Sequence, residues 1–365
     1  MATNASKQDI FAKRINNISS EISSITRNAY NSIHRFERLN NNVNGLHTRI
    51  SRVRQANYLA FNHLESDQAA ILEMWNKFAS DISTVIHQKN ELIQLKTSNI
   101  HRNLTQLQRH AHKNLRDVQR IESSLIELRA NTSELQNYTS TSLNPLETRY
   151  QKIDKILQMA EKTVALVSQG SFHWKEGETP IVAIKAKDLI KEMEGVLTLT
   201  NHSFIFENER EIILKKRFFI VTEKKTVREV AVQKPIGMVT RITKGRVGLL
   251  KGSGLFVEFT PDSRLSEMKF DTKGQEADWV VQIYHDVVSG KVDEEIINTS
   301  PPSMHNKGGF QLVACPICTA PYTEEIYRGQ TSVNCNYCGA VIKLQPLGQQ
   351  DRQDQRNVNT ILTQK

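Results

Sequence analysis

A chain of 365 residues, 38% apolar but only 7% aromatic, has room for two or three modest domains, one of them extended and helical. Its longest apolar cluster, Phe218–Val221, falls far short of the roughly 18 to 20 residues that cross a bilayer, and its polar start, Met1–Asp9, lacks the apolar core of a secretory signal, so a cytoplasmic protein is expected. The net charge of +9 is concentrated early: residues 1–169 hold 22 Lys and Arg against 15 acids, whereas residues 170–299 hold 20 of each.

From Ile15 to Leu135 the chain follows a helical period without proline. Ile15, Ile22, Ala29, Phe36, Val43 and Ile50 recur every seventh residue and continue through Asn57, Leu64, Ile71, Phe78, Val85 and Leu92. Ile18, Ile25, Ser32, Leu39, Leu46, Val53 and Ala60 interleave with them, followed by Asp67, Met74, Asp81, Gln88 and Leu95. Apolar side chains at alternating spacings of three and four form a narrow stripe that another helix must cover. The pattern predicts a coiled coil over residues 1–145, whose Ile15–Leu135 stretch would reach roughly 180 Å if unbroken, and a homo-oligomer formed through it. Asn57 reads as a polar seam residue that sets register. Trp75, Ile82, Ile86 and Ile93 lie outside both seams and widen the apolar face, as further packed helices or a docking partner helix require. A phase slip is expected between Leu95 and Ile100. Pro145 predicts the end of the rod, because it removes a helix donor and disfavours helix at Asn144. A shorter helix over 146–170 then either continues the rod or folds back. The run Arg27, Arg35, Arg38, Arg49, Arg52 and Arg54, opposed only by Glu37, reads as a solvated helix surface or as a face for nucleic acid or anionic lipid. His101, His110 and His112 lie among Arg102, Arg109 and Lys113 with no partner ligands on their face, and are read as surface residues.

At Ser171 the period changes to short β-branched and aromatic runs divided by Gly, Pro and Asn. Strands are predicted at Pro180–Lys185, Val196–Thr200, Ser203–Glu207, Ile212–Thr222, Val227–Gln233, Met238–Thr243, Arg246–Leu250, Leu255–Thr260 and Glu267–Phe270. Gly245, Gly248, Gly252 and Gly254 read as turns between them. Asp271 or Thr272 is expected to cap a closing helix, with Gln275 completing a capping box and Trp279, Val280, Ile283, Tyr284, Val287 and Val288 on its apolar side. The fold class is therefore multidomain: a long helical coiled coil, an all-β barrel or sandwich closed by one helix, and a small C-terminal cysteine module.

The strand Gly195-Val-Leu-Thr-Leu-Thr-Asn201, running into Phe204-Ile-Phe206, together with the Trp-bearing closing helix, resembles the pleckstrin-homology (PH-like) superfold, in particular its GRAM-like members, over residues 171–291. The resemblance implies a non-enzymatic domain that binds phosphoinositide headgroups, peptides or proteins. Members that bind lipid gather cations around an early hairpin. The matching candidates here are Lys215, Lys216, Arg217, Lys224, Lys225 and Arg228, interleaved with Glu211, Glu223 and Glu229.

Residues 292–309 read as a flexible linker, 310–346 as a zinc ribbon and 347–365 as a disordered polar tail. All four cysteines fall in the ribbon: Cys315-Pro-Ile-Cys318 and Cys335-Asn-Tyr-Cys338, separated by 16 residues. That spacing suits a structural four-thiolate Zn²⁺ site, in which each two-residue gap turns both sulfurs toward one ion. A redox dithiol is the other reading of a Cys-x-x-Cys pair, but it leaves the second pair without a role. Gly339 suits the positive φ that such turns need, and the module looks like a rubredoxin-type ribbon. Its loop carries Glu324 and Glu325 against Arg328 alone, which disfavours phosphate binding.

No Gly-rich phosphate loop, nucleophile elbow or HExxH motif occurs. The expectation is a cytoplasmic, non-enzymatic oligomeric adaptor or scaffold with protein partners and peripheral membrane contact through the PH-like domain. The alternative is a nucleic-acid-associated protein that uses the basic rod and the ribbon.

Overall fold

The computed structural model describes residues 4–109, 115–175, 177–217, 220–247, 252–272, 274–297, 312 and 314–344. The expected tail, most of the expected linker, His110, His112 and Gly248 lie outside these residues. The chain divides into two units: Met1–Arg49 with Leu64–Lys155, and Ile50–His63 with Ile156–Lys365.

Three long helices replace the single rod: α1 (Asn4–Gln55), α2 (Leu64–Arg109) and α3 (Leu115–Val167). In the first unit α2 runs antiparallel to α3, with Lys89 on Glu134 at 2.6 Å and Lys96 on Glu127 at 2.9 Å. Asn40 of α1 accepts from the Trp75 indole of α2 at 3.0 Å. The α1–α3 pairs rise together in number, Arg14 with Glu122, Glu21 with Arg129, Arg35 with Glu147 and Arg49 with Asp154, so these two helices are parallel. The heptad seams thus close within one chain, and among the described residues the helices need no second copy to cover them. Arg35, Arg49 and Arg54, half of the basic run, are committed to bonds inside the chain.

Two details of the helical reading are corrected. Asn57 sets no seam register; it sits in the reversal after α1 at φ +60°, a left-handed position that asparagine tolerates. In α2 the burial keeps the expected register at Leu64 and Ile71 and then moves one residue on, to Trp75, Ile82, Ile86, Ile93 and Ile100, while the seam candidates Phe78, Leu92 and Leu95 are 43%, 41% and 61% exposed. Ile93 and Ile100 are seven residues apart, so no slip separates them. Nor does Pro145 end a helix: α3 runs through it to Val167. A proline inside a helix costs about 3 kcal/mol. Leu143 and Leu146, buried on either side, offset that cost, and Arg35 binds Ser140, Asn144 and Glu147 around the same turn.

The second unit holds seven antiparallel strands: β1 (Pro180–Asp188), β2 (Met193–Thr200), β3 (Ser203–Arg217), β4 (Ile220–Pro235), β5 (Val239–Val247), β6 (Gly252–Phe259) and β7 (Glu267–Thr272), in the order β4-β3-β2-β1-β7-β6-β5. Consecutive β4 and β5 lie at opposite ends of that order, joined by a single 3-10 turn, Ile236–Met238. Helix α4 (Gln275–Val288) lies against β1, β2, β5 and β6, and Tyr284 donates to the Val239 carbonyl at 2.8 Å. This is the expected PH-like architecture. Phe204, Phe206, Phe259 and Phe270 form its aromatic centre.

The expected strand Ile212–Thr222 is divided between β3 and β4, and Gly245, Gly252 and Gly254 stand in the β5–β6 ladder rather than in turns. The expected capping box is absent: Thr272 belongs to β7, and the N-cap of α4 is Gly274, which makes no side-chain cap bond. Val288 is exposed. The first part of the expected linker is structured, since α5 (Lys291–Glu294) and the residues after it bond to the α1–α2 reversal: Asn62 N–H reaches the Glu295 carbonyl at 2.7 Å and Ile297 N–H the Leu59 carbonyl at 2.8 Å.

Both faces of β1 and β2 are buried, which explains their near-continuous apolar runs. The end of α3 covers part of them, where Thr163 accepts the Ala183 N–H at 3.0 Å and Leu166 packs on Ala183 and Val196. Tyr58, from the reversal, is fully buried and donates to the Ile181 carbonyl at 2.8 Å. That burial drives the phenol pKa far up, against a smaller opposing effect of Arg54. Replacing Tyr58 by Phe keeps the ring but strands the carbonyl, so a loss of about 1–3 kcal/mol is expected in denaturant unfolding; an unchanged midpoint would show the bond to be unimportant.

Candidate metal centre and interaction surfaces

The cysteine module is built from two matching turns and a small hairpin, β8 (Ser332–Asn334) paired with β9 (Val341–Lys343). In the first turn Thr319 N–H bonds to the Cys315 carbonyl at 2.9 Å; in the second Gly339 N–H bonds to the Cys335 carbonyl at 2.8 Å. Cys315 N–H reaches the Ala320 carbonyl, and Cys335 N–H the Ala340 carbonyl, completing the correspondence. The residue after each second cysteine has positive φ: Gly339 at +72°, as expected, and Thr319 at +58°, a position whose strain its residue type conceals. Cys315, Val333, Cys335 and Ile342 form the core, with Leu312, Tyr322, Ile326 and Leu344 around it.

All four Sγ atoms lie within 4.8 Å of one another, with Cys315–Cys338 at 3.8 Å and Cys318–Cys335 at 3.6 Å. Four sulfurs set tetrahedrally about 2.3 Å from an ion would be about 3.8 Å apart, so the four cysteines fit a bound metal ion. Backbone N–H groups of Cys338 and Tyr337 drive the Cys335 pKa down to about 6. Cys318, despite the N–H of Ala320, is pushed up to about 12 by burial and by the other thiols. Crowded thiolates repel one another unless a cation sits among them. Among the described residues this is the one convergent group of potential metal ligands; His101 is exposed.

The loop between the turns is fixed to the PH-like domain. Arg328 pairs through one terminal nitrogen with both carboxylate oxygens of Asp293, at 2.6 and 2.7 Å, and its carbonyl accepts the Gly237 N–H at 3.0 Å. Tyr327 donates to Asp262 at 2.8 Å, and Lys175 to the Gly329 carbonyl at 3.2 Å. His202, in the β2–β3 turn, packs here; burial lowers its pKa, with Glu178 opposing. Two glycines permit the approach: a Cβ at Gly237 would stand 2.5 Å from the Arg328 nitrogen, and one at Gly329, where φ is +85°, would stand 1.9 Å from the His202 carbonyl oxygen. Spacing revealed the cysteines, but nothing local in the sequence marks this loop as an inter-module contact.

The cations assigned to lipid binding fall on the β3–β4 hairpin. The register sets Ile213 opposite Lys224, Lys215 opposite Glu223 and Arg217 opposite Ile220. The side chains of 213–225 lie outside the description. At the base, Arg210 pairs with Glu229 and Arg228 with Glu209, and Arg228 also donates to the Leu166 carbonyl at the end of α3. Among the described residues no helix is long and apolar enough to cross a membrane.

No family model matches the chain, and no curated protein matches it. Among solved structures it is similar to the Vps36 N-terminal PH domain (12% identity, TM-score 0.23, over 34% of this chain and 90% of that one). It is also similar to autoinhibited Vav1 (10% identity, TM-score 0.24, over 92% and 66%) and to N-terminally truncated linker-DH/PH domains of p115-RhoGEF (9% identity, TM-score 0.22, over 78% and 97%). The PH-like architecture described above rests on strand order and the closing helix, independently of these likenesses.

Replacing Gly329 by Ala should force the loop away from His202. Amide hydrogen exchange at Gly237 is then expected to accelerate while that of the β1–β2 ladder stays unchanged; unaltered protection at Gly237 would show that the close approach holds nothing in place.

Proposed function

We propose that this protein is a non-enzymatic adaptor whose PH-like domain, GRAM-like in its β2 strand, meets an anionic membrane surface through the β3–β4 hairpin, and whose cysteine module is a structural zinc ribbon. The observation that carries the membrane reading is the length of the hairpin. Strand β2 pairs with β3 only as far as Asn208, whereas β3 and β4 continue together to Arg217 and Ile220. The paired acids and arginines lie at the base. Beyond them, residues 212–226 hold Lys215, Lys216, Arg217, Lys224 and Lys225 against Glu223 alone, around the apolar run Phe218–Val221. Each such cation near an anionic leaflet contributes about 1 kcal/mol, and an apolar run bracketed by cations suits the headgroup boundary.

Full-length protein should therefore float with phosphatidylserine-containing vesicles but not with neutral ones. Reversing Lys215, Lys216 and Arg217 to Glu should weaken that binding on the order of a hundredfold or more, from about 1 kcal/mol per charge. Equal flotation with both vesicle types, or no effect of the reversals, would remove the reading.

The zinc reading is supported by the sulfur spacing. Four thiolates leave no open coordination position, which favours a structural ion over a catalytic one. The ligands must lose their protons to bind, so zinc is expected at one ion per chain near neutral pH and should be released as pH falls. Cys335→Ser should abolish retention and speed exchange at the Cys315 and Gly339 amides. Retention of zinc by that variant would exclude the four-cysteine site. The adaptor reading requires no self-association of the helices.

A further inference from the structure

The end of the cysteine module that carries the two turns is apolar and exposed in a way its core does not require. Ile317 and Tyr337 hold equivalent places, each one residue before the second cysteine of its turn, and are 68% and 70% exposed. Val341, three residues past Cys338, is 66% exposed. Apart from Tyr327, whose hydroxyl bonds to Asp262, the other large apolar side chains described in the module enter or border its core. Since the four sulfurs converge, the two turns meet, and Ile317 and Tyr337 flank one centre.

Apart from Lys343, exposed two residues along β9 from Val341, the charge around them is negative. One divalent ion among four thiolates leaves two net negative charges. Glu324 accepts from the amide of Asn336, the neighbour of Tyr337, and Glu325 beside it is exposed. Arg328, the cation of the same loop, is paired with Asp293 of α5.

We propose that this end of the ribbon is a docking surface for a protein segment that presents apolar side chains among lysines and arginines. The proposal rests on the zinc reading, because bound thiolates supply much of the negative charge. Charge complementarity chooses the occupant: nucleic acid and anionic lipid are repelled here, whereas a cationic, apolar segment covers Tyr337, a residue type common at binding hot spots, and balances the carboxylates. Three exposed side chains make a small interface, so the contact is weak by itself. Attachment of the same chain to a membrane would strengthen it through effective concentration.

The test is selection of a random dodecapeptide display library on zinc-loaded full-length protein, counter-selected on the Ile317→Asp/Tyr337→Asp variant, with zinc content measured on both proteins. The expected result is enriched peptides that combine aromatic or aliphatic residues with net positive charge. Their affinity should fall roughly tenfold or more with Tyr337→Asp and measurably with Glu324→Lys/Glu325→Lys, both variants retaining one zinc. Acidic peptides, peptides indifferent to these variants, or no enrichment on protein that holds zinc would overturn the proposal and leave the zinc reading standing. Protein that binds no zinc would overturn both. Sedimentation showing a dimer abolished by Tyr337→Asp would assign the surface to a second copy of this chain and overturn the hetero-partner.

Discussion

The fold depends on the reversal between α1 and α2, and the reversal depends on one guanidinium. Arg54 donates to the carbonyls of Tyr58 and Ala60 at 2.7 Å and of Phe61 at 2.8 Å, gathering acceptors that a chain leaving a helix would otherwise expose. Asn57 before these residues and Phe61 at their end take left-handed conformations. With the chain turned there, α2 returns along α1, α3 follows α1 in parallel, and the heptad stripes cover one another. The same turn delivers Tyr58 to the Ile181 carbonyl and Asn62 to the residues after α4. One arginine thus orders the reversal that bonds to the β-domain.

The PH-like domain is held by backbone bonds as much as by packing. The Leu59–Asn62 segment bonds to the α5 region, and the Tyr327–Gly329 loop bonds to Gly237 and Lys175 and packs on His202. Main-chain groups fixed in pairs allow little rearrangement, so the cysteine module has a defined seat and not a free tether. For the adaptor role proposed above, surfaces already ordered would lower the entropic cost of engaging a partner.

The net charge of +9 describes no single surface. Much of the positive charge of the helices is neutralised across the bundle, and the acids of the β3–β4 base are taken up by Arg210 and Arg228. What is left differs in sign between modules, with cations at the hairpin end and carboxylates beside the cysteines. Surfaces of opposite sign select different classes of partner and keep each from competing for the other's.

Periodicity and spacing alone determined that the first part of the chain is helical, that the middle is a run of antiparallel strands with one closing helix, and that Cys315, Cys318, Cys335 and Cys338 converge. These are local signals: a stripe needs cover, alternation makes a strand, and two residues between cysteines make a turn. Even the positive φ of Gly339 was legible, because glycine advertises it, while Thr319 concealed the same conformation. What covers a stripe is a different matter. The heptads of Ile15 to Val53 fit a second copy as well as α2 and α3, and only the reversal held by Arg54 chose the latter. The burial of Trp75, Ile82 and Ile86 in place of Phe78 and Leu92 is a one-residue shift of the stripe after Ile71, set by what α2 packs against rather than by its own period. Pro145 was misread for the same reason: its local cost is real, but Leu143, Leu146 and Arg35 lie across it only in the folded bundle. Local chemistry wrote the elements, and tertiary contacts between distant residues decided which faces meet.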